Sequence, residues 1–122
     1  MDYIYVILGG GLGAVVRYLA TMFFKKILKL EHYSTFWINI SGCFLMGCLF
    51  GLLFEHDYSR LFAFLSVGFV GSYTTFSTFE YDNINLIAHE RYFEFLKYTF
   101  FSCFLGITFF ILGFILLKLF FI

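Results

Sequence analysis

The segment Gly68-Phe69-Val70-Gly71-Ser72-Tyr73-Thr74-Thr75-Phe76-Ser77-Thr78-Phe79 closes a 19-residue run, residues 61–79, that carries no charged side chain. Five Ser and Thr hydroxyls (Ser72, Thr74, Thr75, Ser77 and Thr78) crowd into a stretch otherwise apolar enough to lie in lipid. Outward from it, residues 33–54 form an uncharged run of 22 and residues 98–117 a run of 20, and residues 3–24 form another of 22 broken only by Arg17. About 18–20 apolar residues in helical conformation cross a bilayer core. The pattern predicts an all-α integral membrane protein with four transmembrane helices and a hydroxyl-rich interruption in the third.

Composition supports this. The chain of 122 residues is 61% hydrophobic, 25% aromatic and 13% charged, with 21 phenylalanines and a mean hydropathy of +0.90. A soluble domain is about 25% charged, and one this small cannot keep so much phenylalanine from water. Eight basic and eight acidic residues balance to zero, so no electrostatic footprint for nucleic acid exists. The first span begins at Tyr3 without a basic leader or small-residue cleavage site, and no removable signal peptide is expected. Cys43, Cys48 and Cys103 fall inside spans and read as small apolar residues.

The predicted helices cover residues 3–26, 33–54, 60–90 and 93–120, as one four-helix unit over 1–122. Lys25, Lys26, Lys29, Arg91 and Lys97 fall on one side of the membrane, Arg60 and Lys118 on the other. This five-to-two bias places the more basic side in the cytoplasm and both termini outside, yet is modest enough to allow insertion both ways. A pore through a single four-helix bundle would be very narrow. Small residues at helical spacing (Gly9 and Gly13; Cys43, Gly47 and Gly51; Gly106 and Gly113) mark close contacts, either within the chain or with a second copy.

Several residues are out of place in lipid. Arg17 either snorkels or attracts an anion or holds a broken backbone. The third span is expected to break within the 68–79 segment, where glycine just before the hydroxyl cluster favours non-helical backbone and Ser/Thr hydroxyls compete for backbone partners. The alternative is an unbroken helix with hydroxyls bonded to the preceding turn. A break is tolerated only inside protein or beside a wet cavity, where its carbonyl and amide ends can coordinate ions. Phe76 and Phe79 then share a face, either as core or as ring edges turned toward an anion. Asn39 offers an amide donor to an anion or to another helix. Tyr98, Ser102 and Gly106 follow at i, i+4 and i+8, a face for a channel wall or a close helix contact. Gly9-Gly10-Gly11-Leu12-Gly13-Ala14 matches a loose dinucleotide pattern but lies in a span, so it is packing. His32, His56 and His89 lack ligand spacing, no nucleophile–base pair is visible, and an enzyme is not expected.

These residues carry a resemblance. Gly9-Gly10-Gly11-Leu12-Gly13-Ala14-Val15-Val16-Arg17-Tyr18, Asn39-Ile40-Ser41-Gly42-Cys43-Phe44-Leu45-Met46-Gly47 and the 68–79 segment, in this order across four spans, resemble the small fluoride-channel family (Fluc, also called CrcB). The resemblance implies a passive, fluoride-selective channel in the bacterial plasma membrane that exports fluoride and so lowers its toxicity. It also implies an antiparallel, dual-topology dimer with a structural sodium ion at its centre. By motif position, sodium falls on the carbonyls of Gly71 and Thr74. The fluoride path falls on Asn39, Phe76, Phe79, Ser77, Thr78, Tyr98 and Ser102, and the interior arginine on Arg17. Gly106 stands where a hydroxyl is often found, and Asp82 where glutamate is expected. Three alternatives remain at this point: a subunit of an obligate heterodimeric fluoride channel, a small multidrug-type exporter, and a structural subunit of a larger complex. An exporter needs a deep carboxylate, and only Glu80 and Asp82, just past the expected break, approach that.

Overall fold

A computed structural model describes residues 2–29, 31–53 and 55–121, the side chains of residues 31 and 32 excepted. Helix α1 (Tyr3–Leu28) stops where Lys29 turns left-handed at φ 58° and its N–H bonds the Lys25 carbonyl at 3.1 Å. Lys25 and Lys26 in its last turn suit the negative end of the helix dipole. Helix α2 covers Glu31–Leu53. The third span opens as α3 (Ser59–Phe62), widens into a π-helix (Ala63–Val70), tightens to one turn of α4 (Gly71–Tyr73), breaks, and resumes as α5 (Ser77–Ala88). Helix α6 covers Tyr92–Phe121.

Four stretches (Tyr3–Leu28, Tyr33–Leu53, Ser59–Ala88 and Tyr92–Phe121) are long and apolar enough to cross a membrane. They match the expected spans to within a few residues, and no strand occurs among the described residues. Phe54, the expected last residue of the second span, lies outside the described residues. The third span ends at Ala88 and not at residue 90. There Glu90 adopts φ 58°, and the N–H groups of Glu90 and Arg91 return to the carbonyls of Ile87 and Leu86. Arg91 then pairs with Glu94 in the first turn of α6.

The packing is that of a protein solvated by lipid. Ser34, Thr35, Ser66, Asp82 and Asn83 are buried, while Leu8, Leu19, Phe93, Phe104 and Leu119 point outward. Ile38, Ile40, Val70 and Leu86 are buried beside these polar residues, and large apolar side chains cover the outside, as a hydrocarbon solvent allows.

Helix α1 packs against the π-helix and α2 against α6, and both crossings are made by glycine. A Cβ on Gly9 would sit 2.1 Å from the Phe64 carbonyl oxygen, and one on Gly13 2.3 Å from that of Phe69. From the opposite side, a Cβ on Gly68 would meet Val6 O at 2.7 Å. Between α2 and α6, Gly47 faces Phe110 O at 2.0 Å and Gly113 faces Phe44 O at 2.4 Å by the same measure. These rows of small residues are therefore used within the chain and are not free to seat a second copy.

The π-helix was not foreseen. The break falls inside the expected 68–79 segment, but not through its glycines: Gly71 is right-handed helical at φ −59°, and no glycine has positive φ. Gly68 is small because α1 lies against it. The interruption falls at residues 74–76, among the expected hydroxyls, for reasons that belong to the site.

Gly13→Val forces a side chain into the Phe69 backbone and should destabilise the folded chain by about 1–3 kcal/mol. Gly11→Val, where nothing lies within 4 Å, should leave the helix crossing intact. Thermal unfolding in detergent, followed by size-exclusion chromatography, compares the two; equal losses would disprove this reading of the crossing.

Candidate functional site at the broken third span

The last helical bond before the break runs from Thr74 N–H to the Val70 carbonyl at 3.0 Å, and the Thr74 hydroxyl donates to the same oxygen at 3.0 Å. Thr74 then turns extended, with ψ 158°. The next amide does not return to the helix. Thr75 N–H donates to Asn39 Oδ1 at 2.8 Å, and Asn39 Nδ2 donates to the Thr75 carbonyl at 2.8 Å. One primary amide on α2 thus satisfies both backbone groups of one residue, as a neighbouring strand would. Helix α5 restarts on Thr75 as well, whose hydroxyl receives Thr78 N–H at 3.3 Å and donates to the Thr78 hydroxyl at 3.1 Å. A hydroxyl in this place satisfies one of the amides that every helix start leaves open.

This rerouting decides which carbonyls are left over. In an uninterrupted helix Thr75 N–H would bond Gly71 and Thr78 N–H would bond Thr74. Both amides go elsewhere, so the carbonyls of Gly71 and Thr74 lose their helical donors. These are the two carbonyls the motif assigned to sodium, a hard cation that oxygen ligands suit, and the donor set fits it. Gly71 is exposed on the surface of the chain, and a Cβ there would meet nothing nearer than Ser66 O at 3.7 Å. Gly42 makes room beneath: a Cβ on it would lie 2.2 Å from Thr74 Cγ2. Tyr73, stacked on Phe69 and hydrogen-bonded to Ser41 Oγ at 2.9 Å, anchors the last turn before the break.

Two cavities flank the break and share Thr75. One, a groove of about 320 Å³, is lined by Asn39, Cys43, Thr74, Thr75, Phe76, Phe79, Ser102 and Cys103. The Phe76 and Phe79 rings meet there at 6.0 Å between centroids with a tilt of 41°, and Phe76 is 73% exposed. The other, of about 280 Å³, gathers Arg17 and Lys25 with hydroxyls of Thr21, Ser34, Thr35, Thr75, Ser77 and Thr78, beside Tyr81 and Asp82. Basic and acidic side chains thus share this cavity, and part of its hydroxyl set is already engaged: Thr21 donates to the Arg17 carbonyl at 2.8 Å and Thr75 to the Thr78 hydroxyl at 3.1 Å.

The predicted residues therefore divide. Asn39, Phe76, Phe79 and Ser102 share the groove; Arg17, Ser77 and Thr78 share the polar cavity. Tyr98 lines neither. It is buried, its hydroxyl donates to Asp82 Oδ2 at 3.3 Å, and its ring lies 5.2 Å from that of Phe79. The pair of hydrogen bonds to Thr75 uses one N–H of the Asn39 amide, and an amide carries two. It is Asn39 that holds the broken backbone, one of the tasks considered for Arg17. Thr75 was not singled out from sequence, although it contacts both cavities. Its signal was only membership of the hydroxyl cluster, because the partner that distinguishes it lies 36 residues away.

Comparison with known proteins adds the family. The description "CrcB-like protein, Camphor Resistance (CrcB)" matches residues 4–114. The chain is 41% identical over 106 residues to "Fluoride-specific ion channel FluC" of Flavobacterium psychrophilum, covering 84% of this chain and 86% of that protein. It is 36% identical over 123 aligned positions to the protein of the same name from Gloeothece citriformis, covering 97% and 98%. It is also 36% identical to "Fluoride-specific ion channel FluC 2" of Clostridium acetobutylicum, covering 93% and 95%. The helix break, its two flanking cavities and these matches along nearly the whole chain lead to one assignment: this multi-pass membrane protein belongs to the Fluc/CrcB family, whose named relatives are ion channels and not enzymes.

Proposed function

We propose that the chain is the subunit of a fluoride-selective channel that lets fluoride leave the cytoplasm passively. Two copies in antiparallel orientation would form the channel, with a structural sodium ion at their contact. The observation that carries this reading is the groove beside the break, where the Phe76 and Phe79 rings stand next to amide, hydroxyl and broken backbone. Fluoride is small and holds its water tightly, so a pore must offer close replacements. The positive edges of aromatic rings and a few fixed N–H and O–H donors supply such replacements. A slot of this kind is too narrow for larger anions to enter with the same ease.

Arg17 and Lys25 raise the local anion concentration in the polar cavity, and the Ser77 and Thr78 hydroxyls begin the exchange of water for protein donors. Past Thr75 the ion meets the remaining Asn39 N–H and the two rings, then Ser102. Phe76 is largely exposed on an isolated chain, and the opposite wall of the slot would come from the second copy. Gly71 and Thr74 would hold sodium through their carbonyls, and its positive charge, when bound, favours an anion nearby. The five-to-two charge bias favours a second reading, in which the antiparallel partner is a paralogous subunit; one relative carries the number 2 in its name.

Purified protein in liposomes loaded with potassium fluoride, with valinomycin to clamp the potential, should release fluoride to an external electrode without matching chloride release. Phe76→Ile should lower that release by an order of magnitude or more in protein that still elutes as folded. Wild-type rates in Phe76→Ile would sink the aromatic slot. Asn39→Ala strands both backbone groups of Thr75, at about 1–3 kcal/mol for each left unsatisfied, and should reduce folded yield as well as flux. Mapping both termini in cells separates the two assemblies: a single orientation excludes a dual-topology homodimer.

Thr74→Ser keeps the carbonyl and should conserve flux. The chain itself has room for a side chain at Gly71, so Gly71→Val should fold yet lose any dependence on sodium during reconstitution. A Gly71→Val channel as sodium-dependent as wild type would remove the ion from this place.

A further inference from the structure

The groove contains a thiol that the family motif does not account for, and the reason is Gly106. Tyr98, Ser102 and Gly106 lie on one face of α6, four residues apart. The Tyr98 hydroxyl is taken by Asp82. Ser102 Oγ is fully buried and has no hydrogen-bond partner among the described residues, although Ser102 lines the groove. It is an unsatisfied polar atom within a residue that lines the groove.

One turn on, α6 brings no side chain at all. Elsewhere on this crossing glycine is forced by backbone contact, as at Gly47 and Gly113. Gly106 differs: a Cβ there would meet only Cys43 Sγ, at 3.4 Å. The helices do not need glycine at this point, and the space it leaves is filled from α2 by the Cys43 thiol. Cys43 lies one turn from Asn39 on α2 and lines the same groove. The row of polar groups that runs down α6 to Ser102 therefore continues on the neighbouring helix with an S–H group, a weak donor.

We propose that the Cys43 thiol is part of the wall of the ion path, next to Ser102, and that it makes this channel a target for soft, thiol-seeking cations. The inference rests on the fluoride-channel reading. Mercuric chloride is a suitable probe. On binding, the thiol loses its proton to water while an S–Hg bond replaces one Hg–Cl bond, with chloride leaving. The adduct is far larger than a proton and would obstruct a slot built for a bare small anion. Soft metals prefer sulfur over the hydroxyl and amide groups around it.

Cys103 lines the same groove and is exposed, so it must be separated from Cys43. In the liposome assay, micromolar mercuric chloride should slow fluoride release at least tenfold in wild type and in Cys103→Ala, and dithiothreitol should restore it. Read as the ratio of release rates with and without mercury in each protein, Cys43→Ser should resist the block whatever its basal rate, with Cys43→Ala as a second resistant variant. Block that survives in Cys43→Ser and Cys43→Ala but vanishes in Cys103→Ala would overturn the assignment. So would a Cys43–mercury adduct, seen by mass spectrometry, in channels that still conduct at full rate, or the absence of any adduct. Wild-type liposomes that release no fluoride before mercury is added would sink the parent reading, and this inference with it. Fluoride release that mercury leaves untouched would sink this inference alone.

Discussion

A helix in lipid must satisfy every backbone N–H and C=O within the protein, and at Thr75 the helical ladder is interrupted: its N–H does not return to the preceding turn. The fold depends on how that demand is met. A primary amide can copy the donor–acceptor pair of a peptide group, and Asn39 meets Thr75 with both ends at 2.8 Å. Threonine can cap a helix start with its own side chain, and Thr75 does so for α5. One residue thus ends one helix and begins the next. The break is a defined structure held from α2, and the elements on either side of it are placed accordingly.

Packing elsewhere supports this point. Glycines bring α1 onto the π-helix and α2 onto α6 at backbone contact. Gly42 does the same at short range by admitting Thr74. With the apolar contacts made by backbone and small residues, the polar side chains near the break can face two cavities. Arg17 and the hydroxyls stand on one side, the phenylalanine pair on the other, and Thr75 lies between them.

Much of this was legible in the sequence, and the remainder shows where local patterns stop. Four uncharged runs of membrane length are sufficient to place four helices, because the bilayer sets their length. The hydroxyl cluster marked the interruption, yet the reasoning through Gly68 and Gly71 was wrong in mechanism. Those glycines stay helical, and their smallness at 68 serves contact with α1. Glycine's conformational freedom and its lack of bulk leave the same letter in a sequence, and only the neighbour across the gap tells them apart. The same limit hid Thr75, whose partner is remote, and the π-helix, which no spacing rule marked. Asp82 was read as a substitution and as a carboxylate near the break, while its contact with Tyr98, whose hydroxyl donates to it and which lines neither cavity, had no signal in the sequence.

The geometry of the break also bears on why one copy is not sufficient under the proposed function. Asn39 can satisfy only one residue, and the diverted amides leave Gly71 and Thr74 with carbonyls that helix α4 cannot complete. Gly71 lies on the outer surface of the chain, as does most of the Phe76 ring. In lipid such carbonyls cost several kcal/mol unless something covers them. Under the proposed function, a cation shared with a second copy would answer both needs at once, since it would satisfy oxygens that have no helical donor and draw the partner's wall over the exposed ring. The small-residue rows cannot serve that contact, because α1, α2, α6 and the π-helix already use them. The proposed assembly would then be held by the same unpaired backbone that the channel needs, and a change that restores a continuous third helix would remove the proposed ion site and the reason for the partner together.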